Sequence, residues 1–219
     1  MDRKIFQRIP SRRTPLWSTW INTVDNIERQ LKEDGHQIWG FVIYRCTYGS
    51  DSDWEEFMKQ LHDQILDVLR FYNGVDIAES LALTVFEDKA QFDHASTSTI
   101  RKHFKKWTAT APQQEQGTGP GFSQRYMYCI QVDQRALESV LNGGPPEVSR
   151  GFVNLITRDW EPVYDPEEPE EDPIEGCTEY DVGWMMVSSR AVMVDMYFIL
   201  REWLRWHGEY CRAPQVAYH

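Results

Sequence analysis

Apolar residues recur along this chain in two alternating rhythms. Trp17, Trp20, Ile21, Val24, Ile27 and Leu31 lie at helical spacing, with Thr14 and Pro15 suited to an N-cap and first turn and Gly35 ending the pattern. "IWGFVIYRCT", Ile38 to Thr47, is a short β-branched and aromatic run with apolar groups on both faces, which predicts a central strand. Ser52 and Glu55 are spaced as a capping box, and Trp54, Phe57, Met58, Leu61, Ile65, Val68 and Leu69 form the buried stripe of a second helix.

The alternation continues. Leu81 to Asp88 reads as a strand, and Thr97 to Trp107 as a helix with Ile100, Phe104 and Trp107 inward. "ATAPQQEQGTGPGFSQ" reads as a mobile polar loop. Tyr126 to Val132 is a strand, Asp133 caps a short helix to Leu141, and Gly151 to Thr157 and Val182 to Ser188 are two more strands. An apolar helix follows from about Arg190 to Trp206. The predicted fold is α+β: one domain over residues 1–219, a mixed sheet of about five strands with packed helices. A three-layer, Rossmann-like α/β arrangement is the alternative.

Charge changes this picture at one place. Between Asp159 and Asp181 stand eleven Asp and Glu residues and no Lys or Arg, matching the whole formal net charge of −11, so the rest of the chain is neutral overall. With prolines at 162, 166, 169 and 173, residues 161–176 read as an acidic loop between two strands, expected to be exposed and poorly ordered from about Asp165 to Glu175. Arg101, Lys102, Lys105 and Lys106 lie on what periodicity makes the outer arc of a helix. Together with Arg3, Lys4, Arg8, Arg12 and Arg13 they form the basic patches, suited to a phosphate backbone or simply to water. No apolar run reaches the roughly 18 residues a membrane span needs, and the basic N-terminus lacks a signal-peptide core. Four cysteines without paired spacing read as free thiols in a reducing cytosol. Six scattered histidines offer no metal-ligand spacing, and no cofactor motif is present.

Ligands in such folds sit beyond the carboxyl ends of strands, which points to two places. Cys46, Thr47, Tyr48 and Ser50 supply nucleophilic or proton-carrying groups beside Gly49, although Cys46 could equally be a small core residue. Glu87 and Asp88 end a strand side by side, so at most one should face any given pocket. Either could pair with an amine or guanidinium. Where the acidic loop returns, Cys177, Glu179 and Asp181 are further candidates. All three strand-end groups are expected to converge on one pocket.

"WGFVIYRCTYGSDSDWEEFM", "VFEDKAQFD", "RYMYCIQVD", "VNLITRDW" and "EGCTEYDVGWM" together resemble a large group of ascomycete fungal proteins, most without assigned function. Within that group the chain resembles the arginine-containing cyclodipeptide synthases. The resemblance implies a cytoplasmic enzyme, without a cofactor, that condenses two aminoacyl-tRNAs, one of them arginyl-tRNA, into a diketopiperazine. It implies Cys46 or Cys177 as nucleophile, and Glu87, Asp88 or Asp181 as guanidinium pocket. It also implies the Arg101 to Lys106 arc as RNA contact. A protein-interaction module and a small-molecule tailoring enzyme are the contrasting readings.

Overall fold

The apolar run at Ile38 to Thr47 has its hydrogen-bonded middle at β1, Val42–Arg45, and β1 is buried on both faces. It lies inside a six-stranded mixed sheet in the computed structural model, which describes Arg13 and residues 22–143, 151–162, 169–202 and 204–218. In chain order the elements are α1 (Thr23–Asp34), β1, α2 (Asp51–Phe71), β2 (Val85–Phe86), α3 (Lys89–Phe92), α4 (Thr97–Thr108), α5 (Ala111–Gln116), β3 (Tyr128–Val132), α6 (Gln134–Leu141), β4 (Phe152–Thr157) and β5 (Trp184–Ser188). A broken helical stretch follows: α7 (Ser189–Ala191), a π-helical turn over Val192–Met196, α8 (Tyr197–Ile199) and α9 (Arg205–Glu209). The chain then adds β6 (Val216–Ala217).

The sheet order is β2-β1-β3-β4-β5-β6. β1 runs parallel to β2 and β3, β4 is antiparallel to β3 and β5, and β5 is parallel to β6. The period of two along each strand sends alternate side chains to two cores. Ile43, Ile130, Leu155 and Val187 meet α1, α2, α6 and the C-terminal helices in the larger core. Val42, Tyr44, Cys129 and Ile156 meet Phe92 of α3 and Ile100 and Phe104 of α4 in the smaller one. Helices therefore cover both faces of an α+β fold with a mixed sheet.

Several boundaries differ from those predicted. α1 starts at Thr23 with Asn22 as its cap, accepting from Val24 N at 2.9 Å; the sequence-predicted start at Thr14 and Pro15 lies outside the described residues. Ser50, not Ser52, caps α2, accepting from Asp53 N at 3.2 Å. The stretch expected to be a loop holds α5, with Pro112 in its first turn and Gly117 left-handed after its last. Apolar periodicity made Arg190 to Trp206 look continuous, but the π-turn and a break after Ile199 interrupt it.

Arg125 fastens the start of the sheet. Its side chain is fully buried. Nη1 donates to the carbonyls of Gly40 (2.8 Å) and Ala82 (2.9 Å), and Nη2 to Thr84 Oγ1 (2.7 Å). Nε and Nη2 also grip both oxygens of Glu115 on α5, at 2.9 and 2.8 Å. Burial works against ionising Glu115, yet these bonds hold its pKa below the ordinary value. One guanidinium thus ties α5 to the lead-ins of β1 and β2. Breaking such a pair on one side strands a buried charge. Arg125→Met is expected to cost about 3–5 kcal/mol in urea unfolding, and Arg125→Lys to recover little of it, because an ammonium cannot fill that fork of acceptors.

Candidate functional site

The connections around β1 make a topological switch point. β1 leads through α2 on the larger-core face to β2, and β2 returns through α3 and α4 on the smaller-core face to β3. Loops leaving the adjacent ends of β1 and β2 therefore diverge to opposite faces, the arrangement that opens a binding crevice in α/β sheets. Cys46 to Ser50 form one lip, and Glu87 and Asp88 the other.

Arg45, the last residue of β1, occupies the centre of this edge and was not singled out in the sequence. The signal was there: an arginine ending an otherwise apolar strand must find partners in the loops around it. Its Nε donates to Thr47 O at 3.0 Å, Nη2 to Asp51 Oδ1 at 2.5 Å, and Nη1 pairs with Glu87 Oε2 at 3.6 Å. The guanidinium lies 4.6 Å from the Tyr48 ring centroid and 5.1 Å from that of Trp54. Trp54 Nε1 completes the group by donating to Glu87 Oε1 at 3.0 Å.

Glu87 and Asp88 divide as alternation requires. Glu87 turns towards α2, while Asp88 caps α3 by accepting from Ala90 N at 3.0 Å and Gln91 N at 3.3 Å. Thr47 is buried and its hydroxyl donates to Gln134 Oε1. The Tyr48 hydroxyl is buried beside the Asp88 backbone, and burial raises its pKa, offset in part by nearby Arg45 and by that backbone. Arg45 is one cation among the carboxylates of Asp51, Glu87 and Asp88, and Asp51 and Asp53 already complement the α2 N-terminus. The edge therefore suits an ammonium or guanidinium better than an anion.

Cys46 faces away from this edge. It sits in the smaller core with Tyr44 and Phe92, 1 % exposed, and burial pushes its thiol up to about 12. That environment keeps it protonated at neutral pH, which removes the basis for using it as the nucleophile. Cys129 beside it is also raised well above the ordinary thiol value, by complete burial. The Tyr44 hydroxyl and His103 Nδ1 share a hydrogen bond at 2.8 Å, and burial followed by Lys106 lowers the His103 pKa.

The predicted single pocket does not form. Because β5 runs parallel to β1, its start lies at the opposite end of the sheet from Cys46 and Thr47. Asp181 there accepts from Trp206 Nε1 at 2.8 Å and Gly183 N at 2.7 Å. Cys177 is half-buried in a tight turn bridged to Ile174, and Glu179 precedes Tyr180, which packs on Tyr210. Arg212 gathers the carbonyls of Asp172, Cys177, Glu179 and Tyr180. The acidic loop is therefore exposed over 169–173 as expected, but its return is fixed by hydrogen bonds; residues 163–168 lie outside the described ones. Two open cavities, of about 380 Å³ beside Asp34 and Phe122 and about 310 Å³ beside Arg135 and Asn142, include none of the predicted residues.

The basic arc is also redrawn. Arg101 points into the sheet end, donating to Thr157 O and Gly183 O at 3.0 Å each, and burial lowers its pKa. Lys105 pairs with Asp159 at 3.5 Å, and Lys102 and Lys106 are exposed. Of the basic N-terminus only Arg13 is described. It is buried in ion pairs with Asp25, Glu28 and Asp76, each at 2.6 Å. Among the described residues no helix is long and apolar enough to cross a membrane.

No protein-family model, curated protein or solved structure matches the chain.

Thiol labelling of the folded protein at about pH 8 tests the assignment of Cys46 to the core. Cys177 is expected to react first and Cys46 and Cys129 only on unfolding.

Proposed function

We propose that the chain is an aminoacyl-tRNA-dependent acyl transferase that builds an arginine-containing diketopiperazine in the cytoplasm, with the crevice between the ends of β1 and β2 as its reaction site. The observation that carries this reading is the acidic, Arg45-braced edge where Glu87, Asp88, Thr47 and Tyr48 meet at a topological switch point. Carboxylates there suit a substrate carrying a guanidinium and an α-ammonium group. The resemblance of the segments around Trp39 to Met58 and Val85 to Asp93 supports the finer assignment, since those segments supply both lips.

The reaction breaks two aminoacyl ester bonds, forms two amide bonds and releases two tRNAs. Each α-amine must lose a proton before it attacks an ester carbonyl. Glu87 is placed to orient the cationic substrate, and Tyr48, once a substrate opens access to its buried hydroxyl, to donate to the carbonyl oxygen as charge develops. With Cys46 held neutral, direct aminolysis or a hydroxyl acceptor replaces the thiol step there. Lys102, Lys105 and Lys106 on α4 are the residues proposed to meet the RNA backbone.

Incubating the purified protein with arginyl-tRNA and mixed aminoacyl-tRNAs is expected to give an arginine-containing diketopiperazine by mass spectrometry, and ribonuclease pretreatment to abolish it. Product that survives ribonuclease would favour small-molecule tailoring. Neither product nor tRNA binding would favour a protein-interaction module.

A further inference from the structure

Both flanks of the acidic segment are seated on α4. On the outgoing side Asp159 pairs with Lys105 at 3.5 Å, and the Trp160 ring lies 4.8 Å under the Arg101 guanidinium. On the returning side Glu175 accepts from Thr97 N at 3.2 Å and from Thr97 Oγ1 at 2.5 Å, bonding the first residue of the same helix. Glu175 adopts φ 49°, a left-handed conformation uncommon for a non-glycine residue. Arg212 holds the turn behind it through the Asp172 and Cys177 carbonyls, at 2.5 and 3.3 Å. Gly183 closes the join, since a Cβ there would collide with the Trp160 ring and the Arg101 guanidinium.

A passive spacer between β4 and β5 has no need to place carboxylates at two positions on one helix. Thr97 and Lys105 are separated by about 12 Å along the α4 axis. Lys102, the lysine between them, lies within about 8 Å of either end along that axis, inside the roughly 8 Å screening length at physiological salt, so charges at both ends act on it. The exposed Glu170, Glu171 and Asp172 add negative charge just before the Glu175 contact. The Lys105–Asp159 pair is partly exposed, 61 % and 43 %, and so can exchange with a competing anion.

We propose that the described acids flanking this segment, Asp159, Glu170, Glu171, Asp172 and Glu175, are a built-in competitor for the basic face of α4, holding an RNA backbone off Lys102, Lys105 and Lys106 unless the RNA displaces those carboxylates. This regulation rests on the reading of that face as the RNA contact. Fluorescence anisotropy of the full chain with labelled, unacylated tRNA tests both. Three variants are needed: Glu170→Gln with Glu171→Gln and Asp172→Asn, Lys102→Glu with Lys106→Glu, and the combination. Circular dichroism melts verify that each remains folded. Neutralising the three acids is expected to tighten tRNA binding roughly tenfold at low salt, with the gain lost by about 0.5 M salt. The lysine variant is expected to weaken binding in either background. If the lysine variant weakens binding and the neutralised variant binds like wild type, the competitor is overturned and the RNA contact stands. If the lysine changes alter nothing in either background, the RNA contact is overturned, and the competitor with it.

Discussion

A guanidinium taken out of water must find acceptors for all its donors, and this requirement shapes the β1–β2 half of the molecule. β2 has only two residues, Val85 and Phe86, so its own ladder with β1 is too short to define their relation firmly. Arg125 binds the lead-ins of both strands at one end, through Gly40 O, Ala82 O and Thr84 Oγ1. Arg45 joins their far ends through Thr47 O and Glu87. Two arginines thus hold a minimal strand in place, and the crevice beyond it inherits that geometry.

The same constraint recurs where backbone carbonyls replace carboxylates. Arg101 closes the ends of β4 and the start of β5, and Arg212 closes the return of the acidic segment. In both cases a cation is spent on internal structure, which leaves α4 with a narrower basic face than its composition suggests. The functional consequence is a division of the molecule. One sheet edge carries carboxylates, the buried Tyr48 hydroxyl and no accessible thiol. One helix, α4, carries the exposed Lys102, Lys105 and Lys106 with the flanks of the acidic segment fastened to it.

Much of this was readable from periodicity. Val42 to Arg45, the α2 stripe and the Asp133 cap follow from apolar spacing and capping chemistry, and the switch point follows from alternating strands and helices. What was not readable depended on direction. An arginine on an amphipathic helix is by default solvent-facing, but the open carbonyls of Thr157 and Gly183 lie within reach of Arg101, and no spacing rule reveals them. Convergence of Asp181 with Thr47 required β5 to run antiparallel to β1, and strand direction across two intervening strands is not encoded locally. α5 was legible in hindsight from Pro112 and Gly117, whereas the π-turn over Val192–Met196 leaves the apolar pattern unbroken.

The claim that the β1–β2 edge is the working site is tested most directly by comparing Glu87→Gln with Glu179→Gln. The two carboxylates belong to opposite ends of the sheet, and each change removes one charge at nearly constant shape. The readout is arginine-containing diketopiperazine from a host expressing each variant, alongside circular dichroism. Loss of product from Glu87→Gln with a native spectrum, and wild-type yield from Glu179→Gln, is the expected result. Full yield from Glu87→Gln, or loss from Glu179→Gln alone, would contradict it.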